Sequence, residues 1–165
     1  MSKKQKSKGL RFITWGLFIL YLLVLVYVII LKDGSALTMV EVGKQIPFSK
    51  KITQINFTPL VNTIIPYLQG GPAIRIALEN LLGNIFAFSP LGFFLPMLFK
   101  KCGRFKNIFL VSLGASLFIE IVQLIFYLGT CDIDDLILNV LGSLLGYGVY
   151  RLFYNLYIKR VEVDS

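Results

Sequence analysis

Ile108 to Phe126 reads IFLVSLGASLFIEIVQLIF, 19 residues with one charge, Glu120. At about 1.5 Å rise per residue, a helix of this length covers roughly 30 Å, the thickness of a bilayer's hydrocarbon core. A charge near the centre of such a span costs at least about 2.5 to 3.5 kcal/mol on insertion scales. Glu120 lies roughly 10 Å from the nearer end of the run at the standard rise. It must therefore turn inward and find donors, or keep its proton. Asn80, Asn84, Gln123 and Asn139 are the donors that the sequence offers.

Three further stretches repeat the pattern. Phe12 to Leu31 is 20 residues without a charge, and Leu81 to Phe99 is 19. Leu136 to Tyr150 is 15 apolar or small residues, and it reaches 22 at Tyr157 if Arg151 snorkels to the surface. The whole chain of 165 residues is 56% hydrophobic and only 16% charged, with a mean hydropathy of +0.73. Soluble domains carry roughly a quarter charged residues. The expected fold is all-α, a polytopic membrane helical bundle in a single domain over 1–165. Its four transmembrane helices are expected at 12–31, 73–99, 108–127 and 133–154, with an extracytoplasmic segment at 32–72. A basic start before an apolar run also describes a signal peptide, and Gly34-Ser35-Ala36 offers small residues for cleavage. The run exceeds the usual h-region of about 7 to 15 residues, which favours an uncleaved first helix.

Composition excludes several chemistries. There is no histidine, so no Ser-His-Asp triad, His-ligated zinc or His general base is available. Two cysteines exclude a four-thiolate site and a disulfide framework. Cys102 and Cys131 fall on opposite sides of the expected membrane and should not pair. Each reads as an incidental thiol, and no cofactor is implied.

Twelve of the 17 basic residues lie in the N-terminal tail, the loop Lys100 to Lys106 and the C-terminal end from Arg151. A four-span arrangement puts all three on one side. Both termini are therefore expected to be cytoplasmic, in a cell membrane. The net charge of +8 reads as this topology signal, helped by anionic lipid, and not as a nucleic-acid surface.

Lys32 to Gly71 mixes polar residues with Ile46, Phe48, Ile55, Phe57 and Leu60. Pro47, Pro59 and Pro66 interrupt it, so one long helix is not expected. It reads as a strand-poor excursion on the outer surface or folded over the helix mouths. Gly70-Gly71-Pro72 places the start of the second helix near Ala73, with Arg75 and Glu79 paired four apart. Within that helix Pro90 and Pro96 are expected to shape it.

Polar residues then recur at one depth on three segments. Asn80 and Asn84 share a face of the second helix. Glu120 and Gln123 share a face of the third. Asp132, Asp135, Asn139 and Gly142 follow a 3, 4, 3 spacing along the fourth helix and its lead-in, with Asp134 off that stripe. Taken singly, they read as interhelical glue, with the aspartates as an N-cap and first-turn charges. Taken together, they read as a polar pocket opening outward, with Asn80, Asn84, Glu120, Gln123, Asp132, Asp135 and Asn139 as its ligand-binding residues. A divalent cation on Asp132, Asp134 and Glu120 is chemically possible, but the motif is weak, and no metal is assigned. Gly142 and Gly146 allow close approach of a neighbouring helix, read as packing within one chain, with the oligomeric state left open. Tyr21, mid-span, is expected to face another helix.

The run Asn80-x-x-Gly83-Asn84, then Phe88-Ser89-Pro90-Leu91-Gly92 and Pro96, resembles the second-helix motif of VanZ-like membrane proteins. Ser116-x-x-x-Glu120-x-x-Gln123 and Asp132-Ile133-Asp134-Asp135-Leu136-Ile137-Leu138-Asn139-x-x-Gly142-x-x-x-Gly146 resemble that family's second half. Asn56-Phe57-Thr58-Pro59 and Asn62-Thr63-Ile64-Ile65-Pro66 sit where the family has an Asn-x-x-Pro-Phe-type segment. The resemblance covers about Asn56 to Tyr150. Where many members carry an arginine before the first aspartate, this chain reads Gly129-Thr130-Cys131. The resemblance implies a bacterial integral membrane protein, in a family with members linked to low-level resistance to the glycopeptide teicoplanin.

Three functions follow as expectations. The first is binding of a lipid-linked cell-envelope component or a lipoglycopeptide in the outward pocket, lowering teicoplanin-type susceptibility. The second is an intramembrane enzyme with Glu120 or Asp135 as acid or base on a lipid; Ser89 and Ser116 have no base partner in the sequence. The third is a small transporter, for which inverted repeats are missing. Partners expected in every case are the lipid bilayer and, for the first, that envelope component.

Overall fold

A computed structural model of the chain describes residues 3–31, 36–58, 72–129 and 131–158. The first helix, α1, runs Lys3–Val26 and continues as a π-turn over Tyr27–Leu31. Two short helices follow, α2 (Ala36–Gln45) and α3 (Phe48–Ile52), then the two-residue strand β1 (Ile55–Asn56). α4 spans Pro72–Leu98, and a 3₁₀ turn at Lys100–Gly103 leads into α5, Phe105–Phe126. Strand β2 (Cys131–Asp132) opens directly into α6, Ile133–Phe153, which ends in a π-turn over Tyr154–Ile158.

Four of these helices are long and apolar enough to cross a membrane: Lys8–Ile29, Ala77–Leu98, Phe105–Phe126 and Ile133–Leu156. They cover 22, 22, 22 and 24 residues. Large apolar side chains such as Phe86 and Phe118 point outward, 70% and 67% exposed. In water such a surface would aggregate; in lipid it costs nothing.

Each helix turns one face inward. On α1, Thr14, Phe18 and Leu25 are buried and Tyr21 half-buried, a 4, 3, 4 stripe along one face. Tyr21 meets another helix, as its mid-span position predicts, and its hydroxyl donates to the Ala87 carbonyl at 2.9 Å. Trp15 packs edge-on against Phe99, with centroids 5.5 Å apart.

The tightest seam joins α4 to α6. A Cβ added to Gly92 would collide with the Ser143 backbone. One added to Gly142 would strike the Ile85 backbone, and one on Gly146 the Ser89 backbone. The glycine pair of α6 is thus spent on packing inside the chain. Hydroxyls line the same seam: Ser89 Oγ donates to Ile85 O at 2.7 Å or Gly142 O at 3.1 Å, and Ser143 Oγ to Phe88 O at 3.2 Å. Helix α4 runs unbroken through Pro90 and Pro96.

The bundle has two chemically distinct ends. At one, Tyr147 donates to the Gly103 carbonyl at 2.8 Å, bringing the basic α4–α5 turn against α6. Cys102 is buried there. At the other end stand Cys131 and the acidic start of α6, so the two thiols do not meet.

Residues 36–58 fold against the second end. Pro47 separates α2 from α3, as proline should. Strand β1 pairs in parallel with β2, Ile55 with Cys131 and Asn56 with Asp132. Lys51 Nζ donates to the Ile125 carbonyl at 2.6 Å, a cation at the negative end of α5. Helix α5 closes with Leu128 N–H on Gln123 O at 2.8 Å and Tyr127 N–H on Leu124 O at 3.4 Å. That closure holds Tyr127 at φ 60°, in the left-handed region. Gln54 donates to its hydroxyl at 2.9 Å, and Gly43 lies where any Cβ would strike Tyr127. Pro59, Leu60, the motif Asn62 to Pro66 and Gly70-Gly71 lie outside the described residues.

Candidate functional site

The α4–α6 seam opens at the acidic end into a cavity of about 270 Å³. Of the residues expected to bind ligand, it brings together Asn80 and Asn84 from α4, Glu120 and Gln123 from α5, and Asp135 and Asn139 from α6. The helical spacings bring them there, each pair standing three or four residues apart on its helix.

Asp132 is not among them. It caps α6, its carboxylate accepting from Asp134 N–H at 3.0 Å and from Asn56 Nδ2 at 3.3 Å. The 3, 4, 3 spacing assumed that the helix phase extends back through Asp132. An N-cap residue is extended, here at φ −119° and ψ 129°, so its side chain leaves the stripe. It lines instead a smaller apolar pocket of about 100 Å³ beside Phe57 and Leu117. Glu120 stands between the two, lining both. Gly142, the last member of the stripe, is taken up by the seam.

Buried partners define the cavity floor. Glu120 is 3% exposed, and its Oε2 accepts from the Asp132 backbone N–H at 3.2 Å. The Cys131 thiol stands beside it, lining the smaller pocket with Glu120. These partners replace the side-chain amides expected from the sequence, because the β1–β2 pairing folds Asp132 back over α5. Burial, followed by the neighbouring Glu120 and Asp132 carboxyl groups, pushes the Cys131 thiol above its ordinary pKa. Asn84 Nδ2 donates to Asp135 Oδ1 at 2.6 Å. Asn139 Nδ2 donates to Ser116 Oγ at 3.0 Å, while its Oδ1 is buried without a partner. Arg75 and Glu79 form the expected pair at 2.7 Å, and Glu79 reaches the cavity rim.

Four residues join the site without having been grouped with it from the sequence: Ser116, named there only in the family-like run and as a hydroxyl without a base partner, Cys131, Val28 and Ile29. Ser116 supports Asn139, and a stripe at four-residue spacing, Ser112, Ser116, Glu120, could have pointed to it, since all three are buried. Cys131 touches Glu120 only through the strand pairing. Val28 and Ile29, from the π-turn of α1, close one wall, and no pattern in the sequence marks them.

Chemically, the cavity offers carboxyl and amide groups. Among the described residues lining it there is no Ser, Thr, Cys, Lys or Arg, and its ionisable groups are the carboxyls of Glu79, Glu120 and Asp135. Among the described residues, no three His, Cys, Asp or Glu side chains converge as a metal site.

Residues 18–154 match the VanZ/LLP1 family. The chain is 30% identical over 149 residues to Protein VanZ of Enterococcus faecium, covering 90% of this chain and 80% of that protein. No solved structure matches. With four apolar helices long enough to span a bilayer, and a family match covering nearly all of them, the chain is a VanZ/LLP1 family membrane protein.

Proposed function

We propose that the cavity between α4, α5 and α6 binds a lipid-linked cell-envelope component or a lipoglycopeptide at the outer leaflet. Binding there lowers susceptibility to teicoplanin-type glycopeptides. In this reading both termini are cytoplasmic, since the basic α4–α5 turn and the Trp15 end of α1 share the end opposite the cavity. The observation that carries the proposal is the convergence of seven polar side chains from three apolar helices on one open space. Placing so many polar groups within apolar helices for packing alone gains little, because interhelical hydrogen bonds in membranes contribute only about 0.6 kcal/mol each. Similarity to Protein VanZ supports the resistance role. Teicoplanin carries an acyl chain, so drug and protein can meet at the membrane.

The test is expression of the chain in a susceptible Gram-positive host, with inhibitory concentrations read for teicoplanin. Wild type should raise them, and Asn84→Leu and Gln123→Leu should abolish the rise at equal membrane abundance. Unchanged susceptibility with wild type, or silent variants, overturns the proposal. The orientation is checked separately in a Cys102→Ser, Cys131→Ser background. An impermeant maleimide on intact cells should label Gly129→Cys and spare Lys101→Cys.

A further inference from the structure

We propose that the cavity takes the protonated amine of an amphiphile, an organic ammonium, in preference to a phosphate or an uncharged sugar. The inference rests on the reading that the cavity is a ligand site, and it adds the charge of the head group received there.

The lining carries acidic and amide groups and no cation. Glu79, Glu120 and Asp135 supply three carboxyl groups, and no Lys or Arg stands among the described residues around the space. Arg75, the nearest cation along α4, is outside the lining and engaged by Glu79 at 2.7 Å. A phosphate placed here would be desolvated beside carboxyl groups with nothing positive to offset it.

An independent observation concerns Asn139. It is 3% exposed, its amide nitrogen is spent on Ser116, and its carbonyl Oδ1 has no partner. A buried unpaired acceptor costs about 1 to 3 kcal/mol. A donor reaching it from the cavity that Asn139 lines would relieve it. The Asn84 amide is likewise engaged, donating to Asp135 at 2.6 Å. An ammonium presents donors only, and so matches an acceptor-rich wall. A sugar hydroxyl could satisfy Oδ1 but would leave the carboxylates without a counter-charge.

Size and surroundings agree. The space of about 270 Å³ has room for several waters, which suits a small head group better than a bare ion. Val28, Ile29, Ile119 and Leu128 supply an apolar border against which a tail can leave toward lipid.

The experiment uses the full chain in neutral-detergent micelles, titrated with hexylammonium, hexyl phosphate and hexyl glucoside while Tm is followed. Hexylammonium should raise Tm at concentrations at least tenfold below those the other two require. Asp135→Asn should weaken the amine effect roughly tenfold, through loss of a charge-assisted contact. Glu79→Gln, at an exposed rim position that folding does not need, should weaken it about twofold. A response to phosphate or glucoside but not to amine, lost in Asn84→Leu, would overturn the ammonium assignment and keep the cavity as a ligand site. An amine response untouched by both Asp135→Asn and Glu79→Gln would place the amine elsewhere and overturn the assignment. No response to any of the three probes would overturn the assignment and the ligand-site reading together.

Discussion

Helices α4 and α6 meet in two ways along one interface. From Ile85 onward, α4 presses backbone to backbone on α6 through Gly92, Gly142 and Gly146. Immediately before it the same two helices border open space, and Asn84 reaches across to Asp135. The tight region has its polar groups, chiefly serine hydroxyls, turned onto backbone carbonyls. The open region leaves an acceptor on Asn139 unsatisfied. Side-chain size sets the difference, since glycine permits contact where asparagine and aspartate impose a gap. A rigid seam beside a polar gap is an arrangement suited to holding a site in shape.

Disrupting the seam should have the largest effect. Gly92→Leu or Gly146→Leu forces a side chain into backbone and should cost about 3 kcal/mol or more. Loss of the monodisperse peak in fluorescence-detected size exclusion would report it, and a normal peak would deny the seam its role. At the open region, Asn84→Leu strips Asp135 of its donor and should cost about 1 to 3 kcal/mol, read as lowered Tm. Back in the seam, Ser143→Ala removes a single hydroxyl bond to Phe88 O and should cost about 1 kcal/mol. The Cys131 thiol, with its pKa raised, should alkylate more slowly at pH 8 than a free cysteine, because less of it is thiolate. Glu120→Gln removes one cause of that rise and should modestly speed the reaction; an unchanged rate would separate Cys131 from Glu120. The smallest effect is expected at Gly114, where an added Cβ meets nothing within 4 Å. Gly114→Ala should be neutral or stabilising by less than about 1 kcal/mol.

Hydropathy made the four spans legible because burial in lipid demands a fixed length of apolar helix. Proline and glycine were legible too: Pro47 does separate two helices, and Gly142 and Gly146 do face a neighbour. Six cavity residues could be grouped because helical periodicity is a local rule. What escaped depends on contacts distant in sequence. Asp132 leaves its stripe because it pairs with a strand beginning at Ile55, and the same pairing brings Cys131 to Glu120. Val28 and Ile29 join the wall because of where α1 docks, not because of their type. Tyr127 carries no sign of its left-handed backbone, since glycine is the residue expected there.

A tyrosine kept left-handed holds roughly 1 to 2 kcal/mol of strain. Its hydroxyl oxygen is gripped by Gln54, while Lys51 clasps the carbonyl two residues earlier at Ile125. Lifting 36–58 away therefore means releasing both grips at once at the very end of α5, a few residues from Glu120. The surface flap and the floor of the hollow are mechanically one piece, so whatever peels back the flap will be felt by the acid beneath it.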